Sequence, residues 1–196
     1  MSELPVISTI GAKDTEKTLA TLTAAFVADP LFRWAYPSAD NYLDAFPQLI
    51  RAYCGSGIGD GTAYSDAVFG GACIWLSPGH VTNDEAAGAV CEATIPPDRL
   101  DGFIEIMEEM DKYHPHDEPI WYLPTIGVDA AAQGKGIGSA LMKHALQLCD
   151  KQGTRAYLES SNPANISLYE RHGFEVIGRI EVGSAPPVHP MIREKH

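Results

Sequence analysis

Lysine and arginine are scarce in this chain, 14 against 26 aspartates and glutamates, for a formal net charge of −12. That balance argues against a general affinity for nucleic acid or an anionic membrane, because both depend on basic side chains set against phosphate. A cationic substrate is easier to reconcile with it, although a solvated acidic surface is explanation enough. Long apolar runs are missing too. No stretch approaches the ~18 residues of a membrane span, and Met1 to Gly11 lacks the basic start and apolar run of a secretion signal. Cys54, Cys73, Cys91 and Cys149 form no C-x-x-C pair and sit mostly in apolar stretches, where a reduced thiol packs as a small hydrophobe. The expectation is a reduced, cytoplasmic protein without disulfides.

Repeats, linkers and low-complexity segments are absent as well, so 196 residues read as one domain, 1–196, with a sizeable core. Leu4 to Ile10 alternates loosely enough for an opening strand. Asp14 offers an N-cap to a helix carrying Leu19, Leu22 and Phe26, which Pro30 is expected to end. A second helix is predicted between Asp40 and Cys54, with Pro47 implying a break or kink. Thr62 to Ser65 and Ala67 to Leu76 read as a hairpin turning near Asp66, and Asp98 is placed to cap a helix bearing Leu100, Phe103, Met107 and Met110. From Ile120 the order is Ile120 to Val128 (strand), Gly136 to Gln152 (helix), Arg155 to Ser160 (strand), Asn165 to Arg171 (helix) and Phe174 to Glu181 (strand). Strands first and βαβ later predict an α/β fold with a mixed central sheet and helices on both faces.

The chemistry concentrates at Gln133-Gly134-Lys135-Gly136-Ile137-Gly138-Ser139, between an apolar strand and a helix. Backbone N–H groups and the positive end of a helix dipole converge there, and glycines permit an anion to come close, with Lys135 at its edge. A Walker loop is excluded because Lys135 precedes Gly136 and Ser139 follows Gly138. A dinucleotide fingerprint would need Gly or Ala where Ser139 stands, and too little chain follows, although Glu159 lies where a ribose-binding acid would be expected.

Ile126-Gly127-Val128-Asp129, then Gln133 to Gly138, then Asn165-Ile166-Ser167-Leu168-Tyr169-Glu170-Arg171-His172-Gly173-Phe174 resemble, in this order, the GNAT superfamily of N-acetyltransferases. Glu118 to Leu123 and Ala72 to Gly79 look like the branch that contains puromycin N-acetyltransferase. The resemblance implies an acyl-CoA N-acyltransferase fold in which the strand ending at Val128 splays from the strand ending near Ser160. The pantetheine arm of acetyl-CoA would lie in that gap, with its pyrophosphate on the turn. It further implies cofactor contacts from Ile126, Val128, Gln133, Gly134, Lys135, Gly136, Ile137, Gly138, Ser139, Asn165 and Tyr169, with the N–H near Val128 as oxyanion donor. Pro124 fits such a strand only if it is bulged.

Acetyl transfer to an amine needs a neutral nucleophile, an oxyanion donor and a proton for the departing thiolate. Tyr169, one helical turn after Asn165, is the candidate acid. The base is open among Glu118, Tyr122, His114, His116 and Glu159, with Glu118 set first beside Tyr169 as catalytic. His114-Pro115-His116-Asp117-Glu118 reads as a solvated acidic turn rather than a metal cluster, so metal-free catalysis is expected. The expected partner is a small-molecule primary amine, with a peptide amine or a non-catalytic acyl-CoA-binding module as alternatives. Whether the chain is a monomer or a homodimer is not legible.

Overall fold

A computed structural model describes residues 5–80 and 82–195. Its centre is a seven-stranded sheet in the order β1-β2-β3-β4-β5-β7-β6. The strands are β1 (Ile7–Thr9), β2 (Ala63–Asp66), β3 (Gly71–Leu76), β4 (Ile120–Val128), β5 (Arg155–Ser160), β6 (Glu175–Val176) and β7 (His189–Arg193). All neighbours are antiparallel except β4 and β5, which run parallel and are joined by a crossover helix.

The strands alternate by face, and two cores result. Ala72, Ile74 and Leu76 with Ile120, Tyr122 and Tyr157 meet the N-terminal helices: α1 (Thr15–Phe26), α2 (Pro30–Ala35), α3 (Ala39–Cys54), α5 (Asp84–Thr94) and α6 (Pro97–Tyr113). Cys73, Trp75, Trp121, Leu123, Ala156 and Leu158 meet α7 (Ile137–Gln152) and α8 (Ile166–Glu170). One turn of helix, α4 (Ser56–Gly59), follows α3. Leu141 and Met142 of α7 are fully buried on the second face, each contributing roughly 2 kcal/mol of burial.

Several sequence expectations change. Of the predicted opening strand only Ile7–Thr9 is paired, and Leu4 lies outside the described residues. The first helix ends at Phe26. Pro30 begins α2 instead, at a position where its missing N–H costs nothing, with the Asp29 side chain as N-cap. Asp14 stands at the N-cap of α1 without a side-chain cap bond, and α3 continues as one helix across Pro47. The hairpin turn is longer than expected. Asp66 accepts from Val68 N and Gly71 N, so β3 starts at Gly71. Asp98 lies inside α6, whose N-cap position is Pro96. Helix α5 and strand β7 were not foreseen, and Phe174 to Glu181 yields only two strand residues. All four cysteines are buried and free. Among the described residues no helix is long and apolar enough to cross a membrane.

Candidate active site

The site originates in a break between β4 and β5. They pair from Ile120↔Arg155 to Leu123↔Leu158 and no further. On the other side of β4 the register with β3 shifts between Ile74↔Thr125 and Leu76↔Tyr122, which sets Leu123 and Pro124 together opposite Trp75. Pro124 has no N–H to donate, and a bulge is where a strand tolerates that. The bulge reverses the facing of β4, so that Ile126 and Val128 join the same core as Trp121 and Leu123.

Asp129 N donates to Gly70 O at 2.9 Å, which fixes the ladder's alternation. Gly127 and Thr125 therefore bond towards β3, whereas the N–H and C=O groups of Ile126 and Val128 point towards the open side. In agreement, Val128 O accepts from Gln133 Nε2 at 3.2 Å. A main-chain edge with free donors thus lines the opening.

The glycine turn sits at one mouth. Gly134 and Gly136 have φ of 75° and 80°, while a Cβ on either would meet no atom within 4 Å. Glycine is needed there for its backbone and not for want of room. Gly136 is the N-cap of α7 and contributes no side-chain cap. The first-turn N–H groups of this 16-residue helix therefore stay available to an anion. Lys135, exposed, reaches Ala131 O at 3.1 Å. Ser139 instead bonds His172 Nε2 at 2.9 Å. The turn, the end of α1, Asn162, Asn165, Tyr169 and Arg171 bound a cavity of about 540 Å³. Free helix N–H groups, the Arg171 guanidinium and an open strand edge are a donor set that fits a diphosphate joined to an amide-bearing arm.

Tyr169 is buried on the wall between this cavity and a larger one of about 1290 Å³. Burial, and secondarily the charge of Asp29, push its phenol well above the usual range. Its hydroxyl has no hydrogen-bond partner among the described residues. Asn165, exposed, lines both cavities. Asp29 is buried and ties the far wall together: Leu31 N, Phe32 N and Ser161 Oγ donate to it at 3.0, 3.2 and 2.7 Å. Burial raises its pKa despite these bonds.

The larger cavity holds Glu159 at the end of β5, half-buried. Burial pushes its carboxyl up to about 7 against the opposing hydrogen bond from Tyr122. Tyr122 donates to Glu159 Oε2 at 2.8 Å, and the Tyr53 and Tyr122 hydroxyls are 3.1 Å apart. The His114 ring stands edge-on to Tyr122 and Tyr157, each at 4.9 Å. Desolvation, then His116, lowers its pKa.

Glu118 is elsewhere. It precedes β4 and pairs with Arg155 Nε, while Asp117 contacts the same guanidinium at 3.1 Å and His116 faces Asp111 at 3.5 Å. Eight extended residues separate it from Ile126, on the order of 25 Å. The structure brings together the turn, Ile126, Val128, Asn165 and Tyr169, and sets Glu118 at the other end of the larger cavity. Sequence reasoning missed Tyr53, read as helix core, and Asp29, although Asp-Pro at positions 29 and 30 is a helix-start signal. It also missed Arg171, whose place depends on the turn after α8.

The family model described as "Acetyltransferase (GNAT) family" matches residues 32–174. An uncharacterised N-acetyltransferase of Schizosaccharomyces pombe is 28% identical over an alignment of 205 residues, covering 94% of this chain and 81% of that protein. Among solved structures, a protein described as histone acetyltransferase HPA2 and related acetyltransferase, from Corynebacterium glutamicum, has a TM-score of 0.70 at 23% identity, covering 99% of this chain and 98% of its own. A polyamine N-acetyltransferase of Drosophila melanogaster, described as forming N-acetylagmatine, has a TM-score of 0.67 at 14% identity, covering 96% and 99%. These two likenesses concern the fold. The family match runs from α2 past the split strands and the glycine turn to the end of α8, and the chain belongs to the GNAT family of acetyltransferases.

Proposed function

We propose that this chain transfers the acetyl group of acetyl-CoA to the primary amine of a small molecule by direct attack in the β4–β5 opening. One observation carries the reading: the opening joins two cavities that share Phe26, Ile126, Asn165 and Tyr169 as walls. One cavity ends on the glycine turn and the other on a carboxyl raised to about 7. The family uses acetyl-CoA, and here the co-substrate would bring an acetyl thioester into the opening.

The N–H groups at the start of α7, with Lys135 and Arg171, would hold the diphosphate. Asn165 and the free edge at Ile126 and Val128 would hold the amide arm. A Val128 or Ile126 N–H is oriented to donate to the thioester oxygen, where negative charge develops. Glu159 is the better candidate base than Glu118. Its pKa near neutrality leaves it ionised enough at working pH to accept a proton from the amine nitrogen, whereas Glu118 is committed to Arg155. Tyr122 holds the Glu159 carboxylate in place. Tyr169, a phenol throughout the working range, donates a hydrogen bond to the departing sulfur.

The test is thiol release from acetyl-CoA over a panel of primary amines, run beside calorimetric titration with acetyl-CoA. Saturable binding with amine-dependent release is expected. Binding without release on any amine would leave only a CoA-binding module, and acetylation of peptides but not small amines would replace the acceptor class.

A further inference from the structure

The larger cavity has a polar group beside the β4–β5 opening. Glu159, Tyr122 and Tyr53 form it, and two more hydroxyls lie on the same sheet face. Thr125 Oγ1, on the strand across the opening, is buried without a hydrogen-bond partner among the described residues, and the Tyr157 hydroxyl is buried facing Glu159. Beside it, the wall built by α1, α2, α3 and α6 is apolar. Phe26 and Phe32 meet edge to face at 5.7 Å, Leu49 and Ile50 come from α3, and Phe103 and Met107 face them from α6.

Carboxylates other than Glu159 lie at the rim. Asp84, Glu92, Glu108, Asp111 and Asp117 are exposed. Asp117 and Glu118 are on Arg155 and Asp111 faces His116. A second ammonium on the acceptor would therefore find its partners in water, where an exposed ion pair changes an equilibrium by less than about five-fold. An aryl or branched alkyl group laid on the apolar walls is worth on the order of 100-fold. The volume, about 1290 Å³, also far exceeds what a linear diamine fills. Resting on the acetyl-transfer reading above, we infer that the acceptor is a primary amine with a bulky apolar body, aromatic or branched aliphatic, and that a polyamine is a poor acceptor. The ammonium docks at Glu159 with the apolar body towards α3 and α6, and Glu159 takes one proton before the nitrogen attacks.

Three amines separate the contributions: n-butylamine as reference, 1,4-diaminobutane for the second charge and 2-phenylethylamine for the apolar body. The inference expects kcat/KM for 2-phenylethylamine to exceed that for 1,4-diaminobutane by roughly 100-fold, with the diamine no better than about five-fold above butylamine. Met107→Asp, which sets a carboxylate in the wall, is expected to lower kcat/KM for 2-phenylethylamine at least ten-fold and to raise it for the diamine, with acetyl-CoA affinity unchanged. If that variant melts early, Ile104→Asp, at a position 40% exposed on the same wall, gives the same comparison. A diamine acetylated as well as or better than 2-phenylethylamine overturns the inference and leaves the acetyltransferase reading standing. Failure of every primary amine overturns both.

Discussion

The Tyr122 hydroxyl donates to Glu159 Oε2 at 2.8 Å, so a carboxylate at the end of β5 is held from β4, the strand that frames the other side of the opening. As a base it must be ionised. The sign follows: kcat/KM is expected to rise with pH through about 7 and then level off. Glu159→Gln should lower kcat/KM on the order of 10²- to 10³-fold and abolish that acidic limb. A limb that survives the substitution would put the base elsewhere, His114 being the next titrating group against Tyr122.

The same shift has a stability consequence of opposite sense. Between the carboxyl's ordinary 4.5 and its folded value of about 7, the folded chain keeps a proton that the unfolded chain has lost. Stability therefore falls as pH rises across that window, by roughly 3 kcal/mol in total. Glutamine accepts the Tyr122 hydrogen bond and does not titrate. The melting temperature of Glu159→Gln minus that of the wild type should grow from pH 5 to pH 8. A difference that stays flat would mean that the carboxyl is not appreciably desolvated.

Tyr169→Phe tests the other proton. With the phenol held well above its usual pKa by burial and by Asp29, complete transfer to a thiolate of pKa ~8.5 is uphill. What remains is a hydrogen bond to a charged acceptor, worth about 1.5–3 kcal/mol. Loss of kcat by roughly 10- to 100-fold is expected, with KM for the amine little changed. The wild type should show no basic limb from this group below pH ~10. An unaltered kcat would reduce Tyr169 to a packing residue.

The part of the chain from Ile120 to Ser160 was legible nearly to the residue. Strand, glycine turn and helix there each carry a local signal: an apolar run for β4, φ-demanding glycines at 134 and 136, and helical spacing of Leu141, Ala145 and Cys149. The family resemblance rested on this segment and on the Asn165 to Phe174 motif. Other features depend on distant partners. Strand β7 contains Pro190 and becomes a strand only by lying between β5 and β6. Helix α5 buries only Ala87 and Cys91 among mostly small residues, so its apolar stripe is faint. The ground for proposing Glu159 rather than Glu118 as base was equally invisible. It follows from Arg155 capturing one carboxylate and from the closure of α3 over the other, neither of which is a neighbour in sequence.

Asp29 holds two backbone N–H groups of α2 and the hydroxyl of Ser161, linking the N-terminal wall to the segment after β5. Asp29→Ala removes the cap and leaves Ser161 unpaired. A loss of about 1–3 kcal/mol is expected, with weaker acetyl-CoA binding because the small cavity loses its wall. Asp29→Asn keeps an oxygen for the cap and can still bond Ser161, so it should melt within a few degrees of the wild type. Equal melting temperatures for the alanine and asparagine variants would count against the link as a stabilising contact.

Gly138 separates folding from binding. It lies inside α7, where a Cβ would make ordinary contacts, 3.5 Å from Leu168 and 3.6 Å from Val128, and alanine improves on glycine in a helix by about 1 kcal/mol. Gly138→Ala should therefore melt at or above the wild-type temperature. The added methyl nonetheless narrows the small cavity beside the first-turn N–H groups, and a fall of at least ten-fold in acetyl-CoA affinity is expected by calorimetry. Gly136→Ala differs, because its φ of 80° is strained for any L side chain, at a cost of roughly 1–2 kcal/mol, and it should lose stability and affinity together. If Gly138→Ala binds acetyl-CoA as tightly as the wild type, the diphosphate does not approach the helix backbone at this position, and the anion site has to be sought in the loop before it.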